Sequence, residues 1–169
     1  GIAAEISTAS TRILIDMGDE LSLDPNFVSA PLNISGVTDG NGRCAAVLFT
    51  HYHGDHTGQM LRIRPEISIF AGALAKDIMR LSAEHGGQKN AVLCKRIETI
   101  QTFSPGKTFF IGDIQITPFC IDHSACDSYM FLIEADGKRL LYTGDFRLHG
   151  VRGNVMDKIL DRRIETVDV

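Results

Sequence analysis

Directly after the apolar run Ala45 to Phe49 the chain reads HYHGDHTG from His51 to Gly58, which places three of its six histidines within a few positions of one another. An apolar run this short is expected to be a buried strand, about five residues long, ending at Thr50. Neighbouring side chains alternate across an extended backbone, so His51 and His53 project to the same side and can grip one metal ion. Gly54 then lets the chain turn sharply, presenting Asp55 and His56 toward a second ion beside the first. A set of imidazoles and carboxylates suits zinc, with manganese or iron as alternatives. The string is interior, mixes Asp and Gly with its histidines and follows a buried-type strand, unlike a terminal tag. Whatever the fold, it must deliver the end of a core strand to a polar cleft.

Two other apolar runs end in residues of the same type. Ile114 to Ile121 leads into Asp122, His123 and Ser124, and Leu140 to Thr143 leads into Gly144 and Asp145. Together, His51, His53, Asp55, His56, His123 and Asp145 are enough donors for two ions sharing a bridging carboxylate. His149 follows Asp145 closely enough to line the same cleft, and His85 reads as a cation near a helix C-terminus. The four cysteines, Cys44, Cys94, Cys120 and Cys126, contain no C-x-x-C pair, which argues against a zinc knuckle or a disulfide framework and for reduced thiols. Cys44, Cys94 and Cys120 read as small core hydrophobes, and Cys126, three residues from His123, is not needed as a ligand.

Around these motifs the pattern is mixed. Ile2 to Ile6 and Arg12 to Ile15 predict a hairpin around a polar turn, followed from Asp19 to Asn41 by a long surface loop rich in turn residues. A short helix is expected over Gly58 to Ile63, a strand over Ile67 to Phe70, and a clear helix over Ala73 to His85 with Leu74, Ile78 and Leu81 on its apolar face. A second helical segment is expected over Gln88 to Ile97. Strands follow at Thr108 to Ile111, Ile114 to Phe119, Ser128 to Glu134 and Lys138 to Thr143, the last two joined by a tight turn at Ala135, Asp136 and Gly137. A final helix over Asn154 to Leu160 and the start of another strand at Thr166 to Val169 complete the pass. Strands on both sides of a central helical part indicate a mixed α/β domain of two sheets covered by helices.

At 169 residues, 44% of them hydrophobic, the chain is of one-domain size and can bury a substantial core. Its net charge of −4 provides no overall basic field to attract a polyanion. No apolar stretch is long enough to span a bilayer and the start lacks a signal-peptide layout, so a soluble, cytoplasmic protein is expected.

The residues Asp16 in LIDMG, the H-x-H-x-D-H string at His51, His53, Asp55 and His56, His123 in DHS and Asp145 in TGD resemble a metallo-β-lactamase-fold hydrolase. The longer string ITPFCIDHSACDSYMFLIEADGKRLLYTGDFRLHG is most similar to the β-CASP branch, especially ribonuclease J-like proteins. The resemblance implies a four-layer αββα sandwich with a dinuclear site along one edge of its sheets. It also implies that His51, His53 and His123 hold one zinc, that Asp55 and His56 hold the other, that Asp145 bridges them, and that Asp16 supports the ligand loop by hydrogen bonding. Two such ions acidify water and neutralise charge developing on a phosphoryl or carbonyl centre, and Asp55 is placed to orient that water or accept its proton.

Relative to such proteins the domain over residues 1–169 is expected to be truncated at both ends, without the β-CASP cap and the last metal-binding histidine. RNA is the partner implied for the full-length protein, as substrate of a phosphodiesterase. The alternatives are hydrolysis of a small ester, thioester or lactam by the same dinuclear core, and a metal-binding scaffold without turnover that pairs as a homo-oligomer through an open strand edge.

Overall fold

The computed structural model describes residues 1–24, 26–86, 90–155, 157, 159, 164 and 166–169. Strand β1 (Ala4–Ser7) and strand β2 (Arg12–Ile15) form an antiparallel hairpin around the expected polar turn. Strands β3 (Ala46–Leu48), β4 (Ser68–Gly72) and β5 (Gln101–Phe103) then add in parallel, giving one sheet in the order β1-β2-β3-β4-β5. Their crossovers are helical: α1 (Gly54–Thr57) and a 3-10 turn (Met60–Arg62) lie between β3 and β4, and α2 (Ala73–His85) and α3 (Ala91–Glu98) between β4 and β5. The second sheet is an antiparallel meander of β6 (Phe109–Ile111), β7 (Ile114–Ile121), β8 (Ser128–Ala135) and β9 (Lys138–Tyr142). Its β8–β9 turn holds Asp136 and Gly137 at φ 50° and 70°, the geometry of a two-residue hairpin loop.

Alternation along the strands sorts the apolar side chains into three cores. Ile13, Ile15 and Leu48 face Ile114, Ile116, Phe131 and Ile133 between the two sheets. Leu14, Val47 and Ile69 point the other way, onto Met79, Ala83 and Ile97 of α2 and α3. On the far side of the second sheet Met130 and Leu132 pack with Phe119, Ile121 and Ile159. Among the described residues the layers are therefore helices, first sheet and second sheet, with Val155 and Ile159 packed on the outer face of the second. β2 and β3 are buried on both faces, which is why RILI and AVL are almost unbroken apolar runs rather than alternating ones.

Several local expectations shift. The short helix expected over Gly58 to Ile63 is the 3-10 turn Met60–Arg62, and a further helical turn, α1, precedes it within the histidine string. Gly54 does not adopt positive φ and a Cβ there would meet nothing, so its backbone freedom is not what bends the loop. Helix α2 has the expected bounds but buries Ala75, Met79 and Ala83, while Leu74 and Leu81 are exposed. Strand β5 was not expected at all. The residues Gln88 and Lys89 of the second expected helix, and Met156, Lys158 and Leu160 of the last, lie outside the described residues. Asp168 N–H donates to Arg139 O, and Leu141 N–H donates to Val169 O, so the final residues do begin to pair with the β9 edge. Among the described residues no helix is long and apolar enough to cross a membrane.

Candidate metal centre

Three strand ends meet at one edge of the sandwich. β3 leads through Thr50 to His51, His53, Asp55 and His56; β7 leads to His123; β9 leads to Asp145. His51 Nε2 lies 3.1 Å from His53 Nδ1, and His53 Nδ1 lies 3.4 Å from His123 Nε2. Asp145 Oδ2 stands 3.5 Å from His56 Nε2 and 3.8 Å from His123 Nε2, and Asp55 Oδ2 stands 3.5 Å from His56 Nε2. Two groups of three donors each have all their atoms within 4.8 Å of one another: His51, His53 and His123, and His51, His56 and Asp145. All six residues singled out from the sequence are thus brought together, with Asp55 at the rim of the second group rather than within it.

Asp16 organises this cluster from behind. It is fully buried, sits at φ 60°, and accepts hydrogen bonds from Thr50 N–H (2.9 Å), Thr50 Oγ1 (2.9 Å) and His56 Nδ1 (2.8 Å). A non-glycine residue held in the left-handed region is a strained arrangement that the surrounding contacts must enforce. Burial pushes the Asp16 carboxyl above its ordinary value, offset in part by the His56 and Thr50 bonds. Burial lowers His56, but its contact with Asp16 outweighs this and leaves it raised. Because Nδ1–H is committed to Asp16, His56 presents Nε2 to the cleft, and that atom is buried without a hydrogen-bond partner. Burial, then the neighbouring His56, His123 and His53, push His51 down to about 3, and burial also lowers His123. Both imidazoles are therefore neutral near pH 7, with lone pairs free.

An orphaned buried nitrogen, imidazoles packed nitrogen to nitrogen and two carboxylates at the same point make a donor set that fits metal ions. Three contributors escaped the sequence reading. Thr50 Oγ1 touches Asp16, His51 Nδ1 and His56 Nδ1 at once. Tyr142 donates its hydroxyl to Asp16 at 3.4 Å, and Tyr52 accepts from Cys126 N–H at 3.1 Å. Their positions beside the motif residues were the only available signal. His149 and Cys126 are exposed and belong to neither donor group, and Cys44, Cys94 and Cys120 are half-buried thiols packed against the cores.

Residues 11–169 match the beta-lactamase superfamily domain. The chain belongs to that superfamily. Among curated superfamily relatives, the lactamase-like protein adaB of Aspergillus niger is 29% identical over 143 residues, covering 83% of this chain and 37% of its own. The atrochrysone carboxyl ACP thioesterase of Passalora fulva is 27% identical over 150 residues, covering 86% and 38% respectively. The chain thus spans less than two fifths of the length of these relatives. Among solved structures, a protein of unknown function from Enterococcus faecalis superposes with a TM-score of 0.73 at 18% identity, over 93% of this chain and 43% of that one. A putative metallo-beta-lactamase from Thermotoga maritima superposes with a TM-score of 0.61 at 19% identity, over 94% and 78%. These likenesses establish the metallo-beta-lactamase fold.

Proposed function

We propose that the chain carries a dinuclear metallohydrolase centre that cleaves an ester or thioester bond of a small acyl substrate. The observation that carries this is the convergence of six nitrogen and oxygen donors on one cleft, with His56 Nε2 buried and unpartnered among them. His51, His53 and His123 would hold one ion, and His56, Asp55 and Asp145, with His51 close by, the other. Zinc is the best match to this donor set, with manganese or iron as alternatives. When bound, the ions would polarise the substrate carbonyl and acidify water. The remaining work belongs to the protein. Asp55, the carboxylate of the ligand loop, standing 3.5 Å from His56 Nε2, orients the attacking water and accepts its proton. Asp16 and Thr50 fix the tautomers of His56 and His51 so that each offers a lone pair to the cleft.

The relatives named as thioesterases and lactamase-like proteins favour a small acyl substrate over the RNA phosphodiester implied by the β-CASP resemblance. The charge of −4 points the same way, because an RNA groove must neutralise phosphates. Four free thiols suit a reducing compartment, and we place the protein in the cytoplasm. Zinc-loaded protein should release thiol from an acyl-CoA or acyl-N-acetylcysteamine, followed with a thiol reagent, and a chelator should abolish the release. Cleavage of a labelled RNA oligonucleotide with no thiol release would replace this reading by the phosphodiesterase.

A further inference from the structure

His123 and Asp145 reach the centre from separate loops, and neither loop end is a hydrogen-bonded strand at that point. The residues beside them are joined. Arg147 N–H donates to Asp122 O at 2.8 Å, and Arg147 Nε donates to Asp122 Oδ2 at 3.1 Å. Asp122 precedes His123 directly and is only 7% exposed; Arg147 is the charged partner of its carboxylate, with backbone groups of Gly150 and Arg152 on the same loop also bonded to it. Arg147 lies two residues past Asp145. On the same loop Arg152 Nη1 donates to Cys120 Sγ at 3.2 Å, a second and weaker tether to the end of β7. Room for the pair depends on Gly150, where an added Cβ would lie 1.8 Å from Asp122 Oδ2 and 2.5 Å from Arg147 Nε.

We propose that Asp122 and Arg147 are a positioning pair that holds the His123 loop against the Asp145 loop and so sets the spacing of the two donors. The pair donates nothing to an ion or substrate itself. It acts through the backbone, by removing the freedom of two loops that would otherwise hold His123 and Asp145 at a fluctuating distance. The inference rests on the metallohydrolase reading above.

A purely structural ion pair would change melting temperature and leave metal affinity alone, so affinity is the readout that decides. Zinc affinity would be measured by competition with a chromophoric chelator for the wild type, Arg147→Ala, Arg147→Lys and Gly150→Ala, with Arg80→Ala, which breaks the exposed 2.8 Å Arg80–Glu84 pair on α2, as a control. Circular dichroism would confirm that each is folded. Arg147→Ala and Gly150→Ala should weaken zinc binding on the order of ten-fold. Arg147→Lys, which keeps the backbone bond and the charge, should recover part of that loss, and Arg80→Ala should bind as the wild type does. A zinc-binding wild type whose folded Arg147 and Gly150 variants bind equally well overturns the positioning pair and leaves the functional reading intact. A wild type that takes no zinc overturns both. Should Arg147→Ala fail to fold, Arg147→Lys and Gly150→Ala decide alone.

Discussion

Asp16 concentrates more of the site's geometry than any of the six donors does. It is buried, strained at φ 60° and bonded to both Thr50 and His56, so its substitution separates charge from shape. Asn tolerates positive φ and keeps one acceptor, whereas Ala leaves Thr50 N–H and His56 unsatisfied in the interior. Asp16→Asn is expected to fold and to lose roughly 10 to 100-fold in zinc affinity, measured by chelator competition. Asp16→Ala should lose about 1–3 kcal/mol of stability as well, measured by urea unfolding. Equal stability of the two variants would mean that the acceptor bonds are not what matters. At this scale the sequence was legible where residue type alone carries chemistry: histidines and aspartates announce themselves. Thr50 and Tyr142 did not, because hydroxyl side chains are common everywhere and only tertiary placement makes these two contact Asp16.

The elements are held to one another by side chains that bridge long sequence separations. Helix α2 has Gly72 at its N-cap and no cap from its own side chains, yet Ala75 N–H donates to Asp127 Oδ2 at 2.9 Å from the loop after β7. Asp127 also accepts from the hydroxyl of buried Tyr129 at 2.6 Å, so Asp127→Ala should cost about 1–3 kcal/mol, and melting curves would show it. The turn between β1 and β2 and the turn between β6 and β7 are tied in a similar way. Thr8 Oγ1 donates to Asp113 at 2.9 Å, and the hydroxyls of Thr11, Ser10 and Thr8 hold the Asp113 carboxyl down to about 2. With the folded value below the unfolded one, this contribution is present above about pH 4 and disappears as pH falls toward 2. A carboxyl NMR titration should find the Asp113 midpoint near 2 in the wild type and higher in Thr8→Ala. An unmoved midpoint would remove the hairpin tie. Strands β2, β7, β8 and β9 were legible because their apolar runs are bounded by turn residues. β5, with only Gln101, Thr102 and Phe103, has no period to read. On α2 the periodicity located the helix but not its buried face. Small Ala75 and Ala83 permit close packing on the sheet, and that packing turns Leu74 and Leu81 outward.

At the scale of the molecule, the centre is the place where the two sheets are joined by chemistry as well as by apolar contact. His51, His53 and His56 follow β3 of the first sheet, while His123 and Asp145 follow β7 and β9 of the second. The topology that brings β3 beside the ends of β7 and β9 depends on contacts between residues some seventy to ninety positions apart, which local patterns do not encode. It became legible only through the resemblance of the motifs as a set. An ion bound by donors from both sheets would cross-link them at one edge, and would bind the folded chain far better than the unfolded one. Such binding stabilises by about 2.7 kcal/mol when free ligand is a hundred times Kd. For a domain of this size that corresponds to a rise of roughly 5–11 °C in melting temperature. Chelation of the zinc-loaded protein should reverse this rise. It should also speed hydrogen exchange in both the His51 to His56 loop and the loops carrying His123 and Asp145. Acceleration confined to the first loop would mean that the ion is held by one sheet alone, and that the second sheet is joined to the first without it, by the apolar core around Phe131 and by polar contacts such as Thr8 to Asp113 and Tyr142 to Asp16.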